Sequence, residues 1–145
     1  MILAINVYDI NKSNVIISNK EKNLVCDYKY FYKLFYSTSY YVMNGIFIKI
    51  NFTDYKIHNF YNYIKLNYKV ERNISLIKSI YHIETSILSD VAPTIKNNLY
   101  NELLQGTIKI QKKKITNTPY EVTLKITGIW ENNNICGLCY KFILQ

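Results

Sequence analysis

Apolar and polar residues alternate with period two along most of this sequence and switch to a helical spacing once, near its middle. Leu3–Tyr8 and Val15–Ile17 are apolar, β-prone runs separated by Asn, Lys and Ser turn material. From Tyr28 to Tyr36, Tyr28, Tyr30, Tyr32, Leu34 and Tyr36 fall on one face, and Lys29, Phe31, Lys33 and Phe35 on the other. A second aromatic run, Tyr40–Phe52, is interrupted by Asn44-Gly45, a pair that tolerates positive φ and predicts a two-residue hairpin turn. Beyond it Ile46, Ile48 and Ile50 share a face opposite Phe47 and Lys49. Tyr61–Val70 alternates less cleanly and reads as a strand; His58, before it, reads as part of a loop.

The helical period begins after Asn73 or Ser75, either of which can cap a helix start. Leu76, Ile80, Ile83 and Ile87 follow steps of four, three and four, with Ile77 and Leu88 widening the stripe. A second helix is expected from Pro93, suited to a first helical turn, to Gly106, a left-handed stop, with Ile95, Leu99 and Leu103 as its buried spine.

Alternation then returns over Thr107–Lys114, with Ile108 and Ile110 inward and Lys109 outward; Asn117-Thr-Pro119 turns the chain. Tyr120–Trp130 is the most regular stretch: Val122, Leu124, Ile126, Gly128 and Trp130 on one face, Glu121, Thr123, Lys125, Thr127 and Ile129 on the other. Glu131–Asn134 is a turn. Ile135–Leu144 closes the hairpin, with Cys136, Leu138, Tyr140, Phe142 and Leu144 on one side. Strands over 3–70, a helical block over 73–105 and strands over 107–144 predict one domain, 1–145, of α+β, mostly β class. The order fits a small Greek-key or OB-like barrel, or a sandwich, with an internal two-helix insertion.

Composition sharpens this picture at two points. With 49% hydrophobic and 19% charged residues, 4 Gly and 2 Pro, the chain has the makings of a core and shows no linker. The net charge of +8 attracts polyanions. Lys, Asn, Ile and Tyr make up about half the residues, the amino acids of A/T-rich codons, and the 18 Lys+Arg include a single arginine, Arg72. Codon bias is therefore an alternative source of the basicity. No run approaches the roughly 20 apolar residues of a membrane span, the start lacks a signal-peptide pattern, and three cysteines are an odd number for a disulfide framework. A cytoplasmic or nuclear protein without a membrane partner is expected.

Catalytic patterns are absent. Cys136-Gly-Leu-Cys139 lies on a predicted strand, where positions three apart face opposite sides and cannot converge on a metal. The ten carboxylates are dispersed, His58 and His82 have no partner at a suggestive spacing, and the glycines match no phosphate loop. No enzymatic activity, metal or cofactor is expected. Aromatic and basic interleaving carries more. Tyr28–Tyr36 holds six aromatics and two lysines in nine residues, and rings on a wet sheet face stack on bases while ammonium groups neutralise phosphates. The competing arrangement covers both faces of that strand. A second basic cluster, Lys109, Lys112, Lys113, Lys114 and Lys125, spans one predicted hairpin. The candidate nucleic-acid-binding residues are these together with Lys29, Tyr30, Tyr32, Lys33, Tyr36 and Lys49. Trp130 is either a strand-end core residue or a stacking site, if Gly128 leaves room beside the indole.

Leu124-Lys-Ile-Thr-Gly-Ile-Trp130, Gly137-Leu-Cys-Tyr-Lys-Phe142 and Tyr41-Val-Met-Asn-Gly-Ile46 together resemble a family of short proteins of large A/T-rich DNA viruses, related to the OB-fold single-stranded-DNA-binding proteins of bacteriophages. The resemblance covers about a third of the chain. It implies that Trp130, Lys141 and Phe142 lie in or beside a DNA-binding sheet, and that the protein works in the host cell or the virion, with itself or other viral proteins as further partners. The phage proteins carry an acidic tail with a terminal aromatic; here no acid follows Glu131. The expectation is a non-enzymatic single-stranded nucleic-acid-binding protein. A structural virion or capsid-associated protein, packing through its tyrosine-rich faces, is the alternative.

Overall fold

The computed structural model describes residues 4–22, 29–111 and 121–144. The α+β, mostly β class is observed. Nine strands form a curled sheet: β1 (Ile5–Asn6), β2 (Val15–Ile17), β3 (Glu21–Lys22), β4 (Tyr30–Ser37), β5 (Val42–Asn44), β6 (Ile46–Ile50), β9 (Thr94–Ile95), β11 (Val122–Asn132) and β12 (Ile135–Leu144). Three more, β7 (Tyr55–Asn59), β8 (Tyr63–Tyr68) and β10 (Thr107–Gln111), form a separate antiparallel sheet in the order β10-β8-β7. Helices α1 (Ile74–Leu88) and α2 (Asn98–Leu103) interrupt the strands. One apolar cluster runs from Val7 to Phe142 and takes in both sheets and both helices.

β11 organises the large sheet. One edge pairs with β12; the other pairs with β6 over Val122–Ile126 and with β4 over Gly128–Glu131. The exchange of partners coincides with a bulge between Ile126 and Gly128. A bulge inserts one residue and reverses the facing of all that follow, so Val122, Leu124, Ile126 and then Ile129 enter the core. Gly128 and Trp130 therefore turn to the opposite face from Leu124 and Ile126, correcting the unbroken alternation expected up to Trp130. β4 is divided in the same way: Tyr30–Lys33 pair with β11, while Leu34–Ser37 pair with β2 and β5.

Asn44-Gly45 is a corner and not a hairpin turn. β5 pairs with β4 and β6 with β11 and β1, and Gly45, at φ 105°, donates its N–H to Leu34 O at 2.8 Å. The hairpin turn of the C-terminal pair is Asn133-Asn134, both at positive φ (51° and 65°), the backbone a tight two-residue loop demands.

The helical block departs from expectation in two places. Pro93 opens no helix: Thr94–Ile95 form a short strand parallel to β12, and α2 spans only Asn98–Leu103. Neither Asn73 nor Ser75 caps α1 through its side chain. Asn73 instead accepts from Thr53 N (2.8 Å) and donates to Thr53 O (3.0 Å) and Lys69 O (2.9 Å), tying three segments together. The stripe itself is buried at Leu76, Ile77, Ile80, Ile87 and Leu88.

Glu84 interrupts that stripe. Its carboxylate is fully buried and accepts from Leu99 N (3.0 Å) and Tyr100 N (3.2 Å), joining α1 to α2. Burial pushes the carboxyl up from 4.5 to about 7, against the two N–H bonds, which lower it. The folded protein thus holds this proton more tightly than the unfolded chain does between those values. Stability should therefore fall as pH rises across that window and level off above it, a loss of about 3 kcal/mol. Melting temperature followed between about pH 5 and about pH 8 checks this. Glu84→Gln should remove the slope while turning an amide NH2 against one of the two backbone donors.

Candidate nucleic-acid interface

The aromatic run of β4 is half-covered: Tyr30, Phe31, Tyr32 and Phe35 are partly exposed, and Tyr36 is buried. Tyr36 is 2% exposed, and its hydroxyl accepts from Asn11 N at 3.1 Å. Tyr32 donates its hydroxyl to Glu131 Oε2 at 2.9 Å; burial first, then that carboxylate, pushes it up to about 12. Glu131 is 3.4 Å from Lys20, whose ammonium lies 4.0 Å from the Tyr30 ring centroid. Phe31 covers Gly128 so closely that a Cβ there would stand 2.3 Å from its Cζ. Tyr36 thus presents no stacking surface, Tyr30 and Tyr32 are half-covered, and among the described residues of this run only Lys29 and Lys33 are exposed.

Trp130 and Phe142 are also buried, at 7% and 5%. Trp130 lies opposite Gly137, where a Cβ would stand 2.5 Å from its indole. The space expected beside Gly128 is filled by Phe31. Trp130 also borders a groove of about 410 Å³ together with Asn98, Tyr140 and Lys141. Cys136 is buried, its thiol 3.6 Å from Leu88 O, and Cys139 lies three residues on, opposite Gly128. Among the described residues no three His, Cys, Asp or Glu side chains converge.

The other candidates divide. Lys49 is 3.6 Å from Glu121. Lys112, Lys113 and Lys114 lie outside the described residues. Lys125 stands directly opposite Lys141, with Phe47 on its other side and its ammonium 5.4 Å from that ring. Lys109 belongs to the second sheet, which the sequence did not single out.

The outward face of that sheet consists of three registered rows. Lys56, Asn67 and Thr107 form the first; His58, Lys65 and Lys109 the second; Tyr63 and Gln111 the third, extended by Phe60, whose N–H bonds Tyr63 O at 2.9 Å. The inward rows, Ile57-Leu66-Ile108 and Asn59-Ile64-Ile110, are apolar except for Asn59 at the exposed edge, so the core pins this register and a slip would bury the lysines. Phe60 and Tyr63 stack at 4.6 Å and 13°, and Lys109 sits 4.2 Å from the Tyr63 centroid. Phe60 is 45% and Tyr61 97% exposed at the hairpin tip. No carboxylate occupies the three rows. His58 was expected in a loop because β7 contributes one inward apolar residue, Ile57, and leaves no alternation to detect. The usable signal was Tyr61, Tyr63, Lys65, Asn67 and Lys69 at period two, aromatic and basic on one face.

Lys109 also borders a groove of about 340 Å³ between β10 and β12, with Gln111 on the same bank and Tyr140, Lys141, Phe142 and Ile143 opposite. Tyr140 donates its hydroxyl to Glu102 at its rim, and burial pushes that phenol well above its usual range. Among the described residues no helix is long and apolar enough to cross a membrane. Comparison with known proteins returns no match: no family model, no curated protein and no solved structure is similar to this chain.

Proposed function

We propose that the protein binds single-stranded nucleic acid on the outward face of the β10-β8-β7 sheet, without strong sequence preference. The observation that carries this reading is the lysine pair Lys65–Lys109, directly opposite across two strands, beside the stacked rings of Phe60 and Tyr63. Like charges in cross-strand register destabilise a sheet, and no acid in the three rows offsets them. A phosphate between them removes that cost, while exposed rings take bases at about 1–3 kcal/mol each. Lysine is a point charge and reads no base edge bidentately, which fits a backbone-tracking role in a chain with one arginine.

Binding of a labelled oligonucleotide across a salt series tests this. Affinity should fall steeply with salt, and Lys65→Gln with Lys109→Gln should flatten the log–log slope by about 1.4, a roughly 25-fold loss near 0.1 M salt. A wild-type protein that binds nothing at low salt defeats the reading.

A second reading rests on a different surface. Ile16 is 49% and Val42 69% exposed on the strands flanking β4, beside Tyr40 at 93%. Such an apolar rim suits packing against protein neighbours, as a structural component would use it. Concentration-dependent self-association that Val42→Lys abolishes, without affinity for oligonucleotides, would favour it.

A further inference from the structure

We propose that the bound strand does not end at β10 but crosses the groove between β10 and β12 to a second phosphate site, the pair Lys125–Lys141. This inference rests on the preceding reading and extends it across the two sheets. Lys125 and Lys141 are directly opposite in the β11–β12 ladder, the same like-charge arrangement as Lys65–Lys109. Among the described residues neither pair has a carboxylate within ion-pair distance; the four ion pairs present engage Lys12, Lys20, Lys49 and Arg72. Each pair therefore sets two lysines that no acid neutralises side by side on adjacent strands, where one anion can engage both.

The groove joins them physically. Lys109, the outer member of the first pair, stands on one bank and Lys141, a member of the second, on the other. Between them the walls change character: Gln111, Tyr140, Phe142 and the carboxylate of Glu102 offer hydrogen-bonding groups and apolar surface but no cation. A carboxylate at that point repels phosphate and accepts from base N–H groups, the ring N3–H of thymine included, so the segment that crosses presents a base there and places phosphates at the two ends. Its volume, about 340 Å³, is that of a small-ligand cleft.

The test compares oligodeoxythymidylates of about four and about ten nucleotides, both within the range of about 4 to 16 that one small β-domain covers. Wild-type protein should bind the longer one more tightly. Lys125→Gln with Lys141→Gln should weaken the longer by roughly 25-fold near 0.1 M salt and lower its salt slope by about 1.4, leaving the shorter unchanged. Lys141→Gln alone, at an exposed position that cannot compromise folding, should weaken the longer by roughly fivefold. Equal binding of the longer oligomer by wild type and both variants overturns the crossing and leaves the first face standing. Equal losses for both lengths overturn it too, by making Lys125–Lys141 part of the primary site. Wild-type protein that binds neither oligomer overturns both readings together.

Discussion

Gly128→Ala should cost more than about 3 kcal/mol and leave little folded protein, beyond the usual range for overpacking a core. A Cβ at this position would stand 2.3 Å and 2.8 Å from Cζ and Cε2 of Phe31 and 2.4 Å from the carbonyl oxygen of Tyr32. The ring could swing aside. The carbonyl could not, because it belongs to the β4 backbone that pairs with β11 at Lys33–Gly128 and Tyr32–Ile129. Relief requires separating the two strands, which would open the sheet where β11 passes from β6 to β4. Urea unfolding of the variant measures the loss; a midpoint equal to that of wild type would mean that β4 does not cross β11 this closely.

Trp130→Ala should cost about 3–5 kcal/mol, the range for deleting a large buried aromatic. The indole covers Gly137, whose missing side chain makes the contact: a Cβ would stand 2.5 to 2.7 Å from three of its atoms. The two positions are therefore coupled, and a double-mutant cycle should show it. Gly137→Ala should be strongly destabilising with tryptophan present and much less so in the Trp130→Ala background, where its methyl enters vacated space. Additive losses would contradict the packing. Because the indole is 7% exposed, its emission should report folding far more than oligonucleotide binding.

What the sequence made legible was local. Alternation located β10, β12 and the first half of β11, and the four-three-four spacing located α1, because in each the apolar set faces one continuous core. Three features escaped for one reason, that partners distant in sequence decide them. The bulge at Ile126–Gly128 leaves no mark on a strand whose residues alternate through it. The rings of β4 are partly covered by groups from distant segments, such as Asn11 at Tyr36 and Glu131 at Tyr32, which its own sequence does not encode. Pro93 suits a helix start, yet pairing of Thr94–Ile95 with β12 prevails over that preference. The candidate interface was half visible: Lys109, Lys125 and Lys141 were singled out, while Lys65, His58, Phe60 and Tyr63 became a face only when β7, β8 and β10 came into register.

The division of β4 and β11 also governs when the protein can fold. Tyr32 and Glu131, joined by a hydrogen bond, are 99 residues apart in sequence, and β11 supplies the centre of the large sheet by pairing with β12, β6 and β4 at once. High contact order of this kind slows folding toward the millisecond-to-second regime. On the ribosome the aromatic β4 and the apolar β6 emerge long before their shared partner, leaving unpaired edges exposed for seconds at synthesis rates of about 5–20 residues per second. The α1 helix and the β7–β8 hairpin, built from near neighbours, can form in that interval. The lysine-bearing surface would then be partly assembled before the sheet behind it closes.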